Sequence, residues 1–287
     1  MEMVEFPKMV QKVYDRAVTD LSTTQNFMEY EEQGLYFLVI GGDGEGQIDL
    51  TTIRAKLLSR LGSTSNARIV QVIGDSGTAL GLHDEALKIL LGIARKPGTI
   101  FEYGYTGREH DTNWIMSRCS TLLRDAGEEP WIIGNLVGQS IETLNTSGWH
   151  GSAHVNTFTL LCCQNGKLST FGSDTWLTDG IQTAEYEDIM VCFEGGPQAF
   201  HQCVNALLRG IEVHAHIDLR SDTADSFSAA QMLGLLREAE GDLNASADTY
   251  LQKHPPKNAQ SIDMIREDVG RVTTSSTLDL IKLHCHK

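Results

Sequence analysis

Glu194-Gly-Gly-Pro-Gln198 carries the residue types needed to hold an anion. A glycine pair between a strand and a helix lets backbone N–H groups approach an anion with no Cβ in the way. The first turn of the helix adds the positive end of its dipole. Pro197 suits the first helical position, where a missing N–H costs no hydrogen bond. The implied ligand is a phosphate-bearing small molecule held by Glu194, Gly195, Gly196, Pro197 and Gln198. The plain alternative is a tight turn without ligand.

Other glycines sit where the same chemistry could act. Gly41 and Gly42 open the run Gly41-Gly-Asp-Gly-Glu-Gly46; Gly104-Tyr-Thr-Gly107 and Gly134 each follow an apolar run. Thr106 and Gly107 would face the ligand with Gly104. Arg108, next in line, could pair with a phosphate in bidentate fashion. At a helix start its charge would otherwise oppose the dipole. Arg220 is a second candidate cation. Asp218 and Asp225 could accept from ribose hydroxyls or cap the following helix. Asp43 and Glu45 would repel phosphate; they could touch a ribose or hold a magnesium ion, with solvated loop charge as the simpler reading.

Histidine offers a competing chemistry. On a strand, His214, His216 and Asp218 share one face, and His-x-His at a strand end suits a metal. We assign no metal there, because such pairs normally open a barrel and little chain follows. His284-Cys-His286 reads as a frayed tail. Trp149, His150, Gly151 and His154 could stack on or protonate a ligand, or form an ordinary polar loop.

The elements that must position these residues follow a repeating cycle. Residues 7–30 read as a helix. Predicted strands lie at 35–40, 67–73, 99–103, 130–134, 154–163, 188–193 and 211–218. Helices fall at 50–61, 83–95, 109–125 and after Pro197. Such alternation gives an α/β fold: a Rossmann-like, mostly parallel sheet with helices on both faces. Ligands of such sheets sit beyond the carboxyl ends of the strands. Residues 226–253 and 261–283 extend this as a helical C-terminal segment. The expected division is 1–33 helical, 34–220 nucleotide-binding and 221–287 extension. Residues 137–153 and 164–186 are weakly patterned and read as lids or plain loops.

The 287 residues carry a formal charge of −15, which argues against nucleic acid and anionic membranes as partners. No apolar run reaches a membrane span. Six cysteines without a C-x-x-C pair suggest buried thiols, hence an intracellular, cytoplasmic setting.

An acidic residue, Gly-Gly-Pro, a helix, then a strand ending in Asp218 with Asp225 seven residues on resembles the SLOG superfamily. Within it the N-terminal cytosolic domain of melastatin-type TRP channels is most similar. Gly104-Tyr-Thr-Gly107 is similar to that family's Asn-Thr-Gly loop. The likeness spans about 98–226, with 35–97 adding first strands. It implies an ADP-ribose- or NAD-related nucleotide as ligand and a signalling partner or oligomer change as output. The channel function does not carry over. The chain departs from the family in having only Gly104 where paired glycines are usual. It departs from the enzymatic branch, the cytokinin-activating phosphoribohydrolases and lysine-decarboxylase-like proteins, in carrying Gln198-Ala199 for Gly-Thr and His201 for the catalytic Glu. Two readings follow: a nucleotide sensor, or a hydrolase of a nucleotide N-glycosidic bond with Glu194 as its carboxylate. A scaffold with a degenerate site is the third.

Overall fold

The computed structural model describes residues 5–20, 27–42, 50–60, 67–74, 82–104, 112–128, 131–136, 158–164, 167–168, 182–219, 227–239, 241–258, 260–272 and 275–286. The class is α/β, with a Rossmann-like, mostly parallel arrangement of strands flanked by helices. The chain divides into two compact units: 1–67, 89–109 and 113–181 form one, and 68–88, 110–112 and 182–287 the other. Among the described residues no helix is long and apolar enough to cross a membrane.

The first unit orders its strands β1-β2-β6-β5-β4: β1 (Phe27–Glu32), β2 (Leu35–Gly42), β6 (Phe158–Gln164), β5 (Trp131–Leu136) and β4 (Thr99–Gly104). β7 (Lys167–Leu168) pairs antiparallel with β6, Leu168 opposite Cys163 and Lys167 opposite Gln164. Helices α1 (Glu5–Asp20), α2 (Leu50–Arg60) and α4 (Thr112–Asp125) belong to this part of the chain, and α3 (His83–Ala94) follows strand β3 (Arg68–Gly74). Val10, Val13 and Ala17 of α1 are fully buried, as their spacing predicts.

The expected helix over 7–30 is too long. It stops at Asp20, and β1 pairs antiparallel with β2 instead. The cause is local. Gln33 and Gly34 both take positive φ, 50° and 79°. Two consecutive residues of that kind make the hairpin turn whose twist matches paired strands.

The second unit orders its strands β3-β8-β9-β10, all parallel: β3 (Arg68–Gly74), β8 (Ile189–Phe193), β9 (Glu212–Asp218) and β10 (Ile281–His286). The helical extension therefore ends in a strand. His284 and His286 are ladder members opposite His216 and Asp218, and the reading as a frayed tail is overturned. Their alternation with Leu283 and Cys285 is the strand signal that a short histidine-rich terminus obscured.

One face of this sheet carries Cys192, Val213, Ala215, Ile217 and Ile281. Against it pack α5 (Pro197–Leu208), α6 (Ala229–Glu238), α7 (Leu243–Lys253) and α8 (Gln260–Arg271). A single turn, α9 (Ser275–Leu278), precedes β10. Phe200, Phe227 and Tyr250 meet edge to face at 6.1 and 6.0 Å and join α5 to α7 through the loop before α6. α6 lies close to the sheet: a Cβ on Gly234 would come within 3.2 Å of Ile217. α5 ends on Gly210, at φ +78°, with Ile211 N–H bonded to Ala206 O and Gly210 N–H to Leu207 O. This satisfies two of the helix's last carbonyls and turns the chain into β9.

The amino ends of β3 and β8 are pinned by Asp188, which is buried. Its Oδ1 accepts from Ile69 N–H at 2.6 Å and its Oδ2 from Thr183 N–H at 2.7 Å. Gln182 adds a bond from Nε2 to Ile189 O at 2.9 Å.

Candidate functional site

β8 ends at Phe193, and the chain turns through Glu194, Gly195 and Gly196 into α5. Glu194 has φ +56° and Gly195 φ +88°. The two glycines have different reasons to be there. Gly195 is required by the fold: its backbone is left-handed, and a Cβ would lie 2.7 Å from the Ala199 Cβ. Gly196 sits at φ −88°, ψ −170°, which any residue adopts. It is the residue before Pro197 and gives α5 no side-chain cap. The first turn of α5 holds no acidic residue either. A serine or aspartate would be the ordinary choice at this position. Glycine leaves the helix entrance open to an outside anion.

Behind the turn stands a network that the sequence does not reveal. The N–H groups of Ala229 and Ala230, at the start of α6, donate to Gly195 O (2.7 Å) and Glu194 O (2.9 Å). Ser228 caps α6 by accepting from Gln231 N–H, and its hydroxyl also donates to Glu194 Oε2. Glu194 Oε1 accepts from Asp218 N–H at 2.6 Å. Tyr250 OH accepts from Ser228 N–H and donates to Gln231 Oε1, both at 3.2 Å. Glu194 is 1% exposed. Burial pushes its carboxyl above the usual range; the bonds from Ser228 and Asp218 N–H oppose that, and the Asp218 charge adds to it. A carboxylate expected at the ligand is thus turned inward, where it ties β8, β9 and α6 together. Asp218 is buried at the carboxyl end of β9.

His201, one turn into α5, is also committed. Its Nδ1–H donates to Asp268 Oδ2 at 2.8 Å, a carboxylate being able only to accept, and its Nε2 accepts from Asn205 Nδ2 at 3.2 Å. Arg271 closes the ring, with Nη1 to Asp268 Oδ1 (2.9 Å) and Nη2 to Asn205 Oδ1 (3.0 Å). Asp268 is 1% exposed. This clamp fixes α8 to α5. Asp268→Ala is expected to cost about 2 kcal/mol in urea unfolding, since His201 and Arg271 each lose their bond to its carboxylate but can reach water.

No protein-family model matches this chain, and no curated protein matches it.

The remaining sequence candidates separate by unit. Gly41 and Gly42 are the last two residues of β2, not a loop beyond it, and pair with Cys163 and Gln164. Gly104 ends β4. Gly134 lies inside β5, opposite Tyr103, and so does not follow the strand as expected. Thr106, Gly107, Arg108, Arg220, Asp225, Asp43, Glu45 and the Trp149–His154 loop lie outside the described residues. Among the described residues no group of three or more His, Cys, Asp or Glu side chains is placed to hold a metal ion. Cys119, Cys192 and Cys203 are buried thiols and Cys285 an exposed one.

Within the second unit β3 and β8 are neighbours that are not consecutive in sequence. The chain leaves this unit after β3, whereas β8 runs forward through α5 to β9. Gly74 stands opposite Phe193 at the carboxyl ends of these two parallel strands, immediately before the Glu194–Gly196 turn.

Proposed function

We propose that the second unit is a nucleotide-binding sensor whose ligand places a phosphate at the entrance of α5. The observation that carries this reading is Gly196: an uncapped helix start, with glycine where the backbone does not demand it, at the carboxyl end of β8. The resemblance of Glu194-Gly-Gly-Pro197 to SLOG domains points to an ADP-ribose- or NAD-related nucleotide. Binding without turnover is favoured over N-glycosidic hydrolysis, which needs a carboxylate free to act near the ribose C1′. Glu194 spends both oxygens on internal bonds, and the position of the enzymatic branch's glutamate is held by His201, itself tied to Asp268.

The test uses the melting temperature with ADP-ribose, cyclic ADP-ribose, NAD, AMP and ATP in turn, followed by NMR of the mixtures. A ligand at 100 times its dissociation constant stabilises the folded state by about 2.7 kcal/mol. The expected result is a shift with one of these nucleotides, which is recovered unchanged. Released base would mean the hydrolase, and no shift with any of them would mean a scaffold.

Gly196→Asp gives the sharpest comparison. The new carboxylate caps α5 and satisfies its dipole, so the free chain should gain about 0.5–1 kcal/mol. The nucleotide shift should vanish, because the anion's place is filled by a fixed negative charge. A variant that keeps the full shift would move the phosphate elsewhere.

A further inference from the structure

Among the described residues β10 is the edge strand of its unit, and it is lightly anchored. Ile281 alone among its residues is fully buried, Leu283 is half-buried beneath Gly234 of α6, and Lys282 and Cys285 are exposed. On the opposite face it meets β9 through imidazoles. His214, His284, His216 and His286 form a continuous stack with centroid spacings of 5.2, 4.4 and 5.3 Å, the rings 10° to 21° from parallel. The stack alternates between the two strands. His214 Nδ1 lies 3.0 Å from His284 Nε2, and His216 Nδ1 lies 3.0 Å from His286 Nε2. Phe193 closes one side, 5.0 Å from the His216 ring.

Each of those nitrogen pairs is a hydrogen bond only while one partner lacks a proton. Once both rings of a pair are charged, two N–H donors face each other and the bond becomes a repulsion. From this geometry we infer that the imidazole stack is an acid-released latch. Protonation frees β10 from β9 while the rest of the unit stays folded.

Among the described residues, the charges around the stack are divided. Glu212 Oε1 bonds His214 Nε2 at 2.6 Å and favours its charged form; Lys282, 3.7 Å from Glu212, and Arg68 on β3 oppose it. Asp218 stands opposite His286 in the ladder. His216, 3% exposed, is held down to about 3 by burial first, then by the other three imidazoles. His214 and His284 are also lowered, burial again leading. Bases held below their ordinary value stabilise the closed form above the ordinary imidazole range, and that contribution is lost as pH falls through it. Release also reaches the turn. Leu219 N–H donates to His286 O at 2.9 Å, and the preceding N–H, that of Asp218, is the one bound to Glu194. The latch does not depend on the nucleotide reading.

Hydrogen exchange on the full chain, expressed as protection over intrinsic rates at each pH, tests it. Between pH 6.5 and 5, residues 281–286 should lose protection by about tenfold per pH unit or more, since opening there takes up one proton or more, with a smaller loss between pH 7.5 and 6.5. Residues 189–193 and 200–207 should keep theirs. The double variant His284→Gln with His286→Gln should show a clearly shallower profile for 281–286, whatever its absolute protection, with burial of His214 and His216 accounting for the dependence that remains. Constant protection in the wild-type chain, simultaneous loss in β8 and α5, or a pH step undiminished in the double variant would each overturn the latch. Should that variant fail to fold, NMR titration of the wild-type histidines decides. His216 should stay neutral until β10 opens, and an ordinary midpoint with β10 still protected would overturn the proposal.

Discussion

Gly195→Ala should destabilise the chain by about 3 kcal/mol. Holding a non-glycine residue in the left-handed region costs on the order of 1–3 kcal/mol, and forcing a methyl into a filled site adds about 1–3 kcal/mol. The atom it would strike, 2.7 Å away, is the Cβ of Ala199 on the first turn of α5, which has no flexible end to swing aside. Gly196→Ala, by contrast, should change stability by no more than about 1 kcal/mol. Denaturant midpoints for the two variants, measured with the slope unchanged, provide the check. Equal losses would sink the division of the pair into a structural glycine and an open one.

Glu194→Ala should cost about 3 kcal/mol for a different reason. It leaves Asp218 N–H and the Ser228 hydroxyl buried without their acceptor and removes the side chain linking three elements. Glu194→Gln keeps the shape and an acceptor for Asp218 N–H, and should lose about 1 kcal/mol or less. The same glutamine variant should retain any nucleotide-induced stabilisation. A full loss of nucleotide response in a normally stable glutamine variant would put the carboxylate at the ligand.

How much of this the sequence discloses depends on the range of the interaction. The unit from Asp188 to Asp218 is legible almost residue by residue. Its strand is continuous and apolar, its helix keeps a 3.6-residue spacing, and its punctuation is glycine and proline. The first strand is not legible: Phe27-Met-Glu-Tyr-Glu-Glu32 follows an amphipathic helix without a Gly or Pro break. Neither does the turn's brace announce itself. Ser228 looks like any helix cap, and its second bond, to Glu194, joins residues 34 apart in sequence. A carboxylate in a glycine motif reads as a ligand contact until the strand beside it is placed. His201 and Asp268 are 67 residues apart, and their spacing carries no pattern. One signal in the sequence does point to β10: His214-x-His216 and His284-x-His286 share a spacing, which suits two strands lying side by side.

The interrupted course of the second unit bears on how the chain is made. β3 leaves the ribosome well before its partner β8, the strand it pairs with in this unit among the described residues. Until Asp188 arrives, Ile69 N–H lacks the acceptor it has in the folded chain. Such distant pairings close slowly, and a waiting apolar strand is a hazard for aggregation. A segment expressed from residue 182 onward would inherit the same difficulty permanently. It would carry the glycine turn, its brace and the histidine stack, but β8 would become an unpaired edge. A workable minimal unit therefore has to supply residues 68–74 as well, by fusion or by circular permutation.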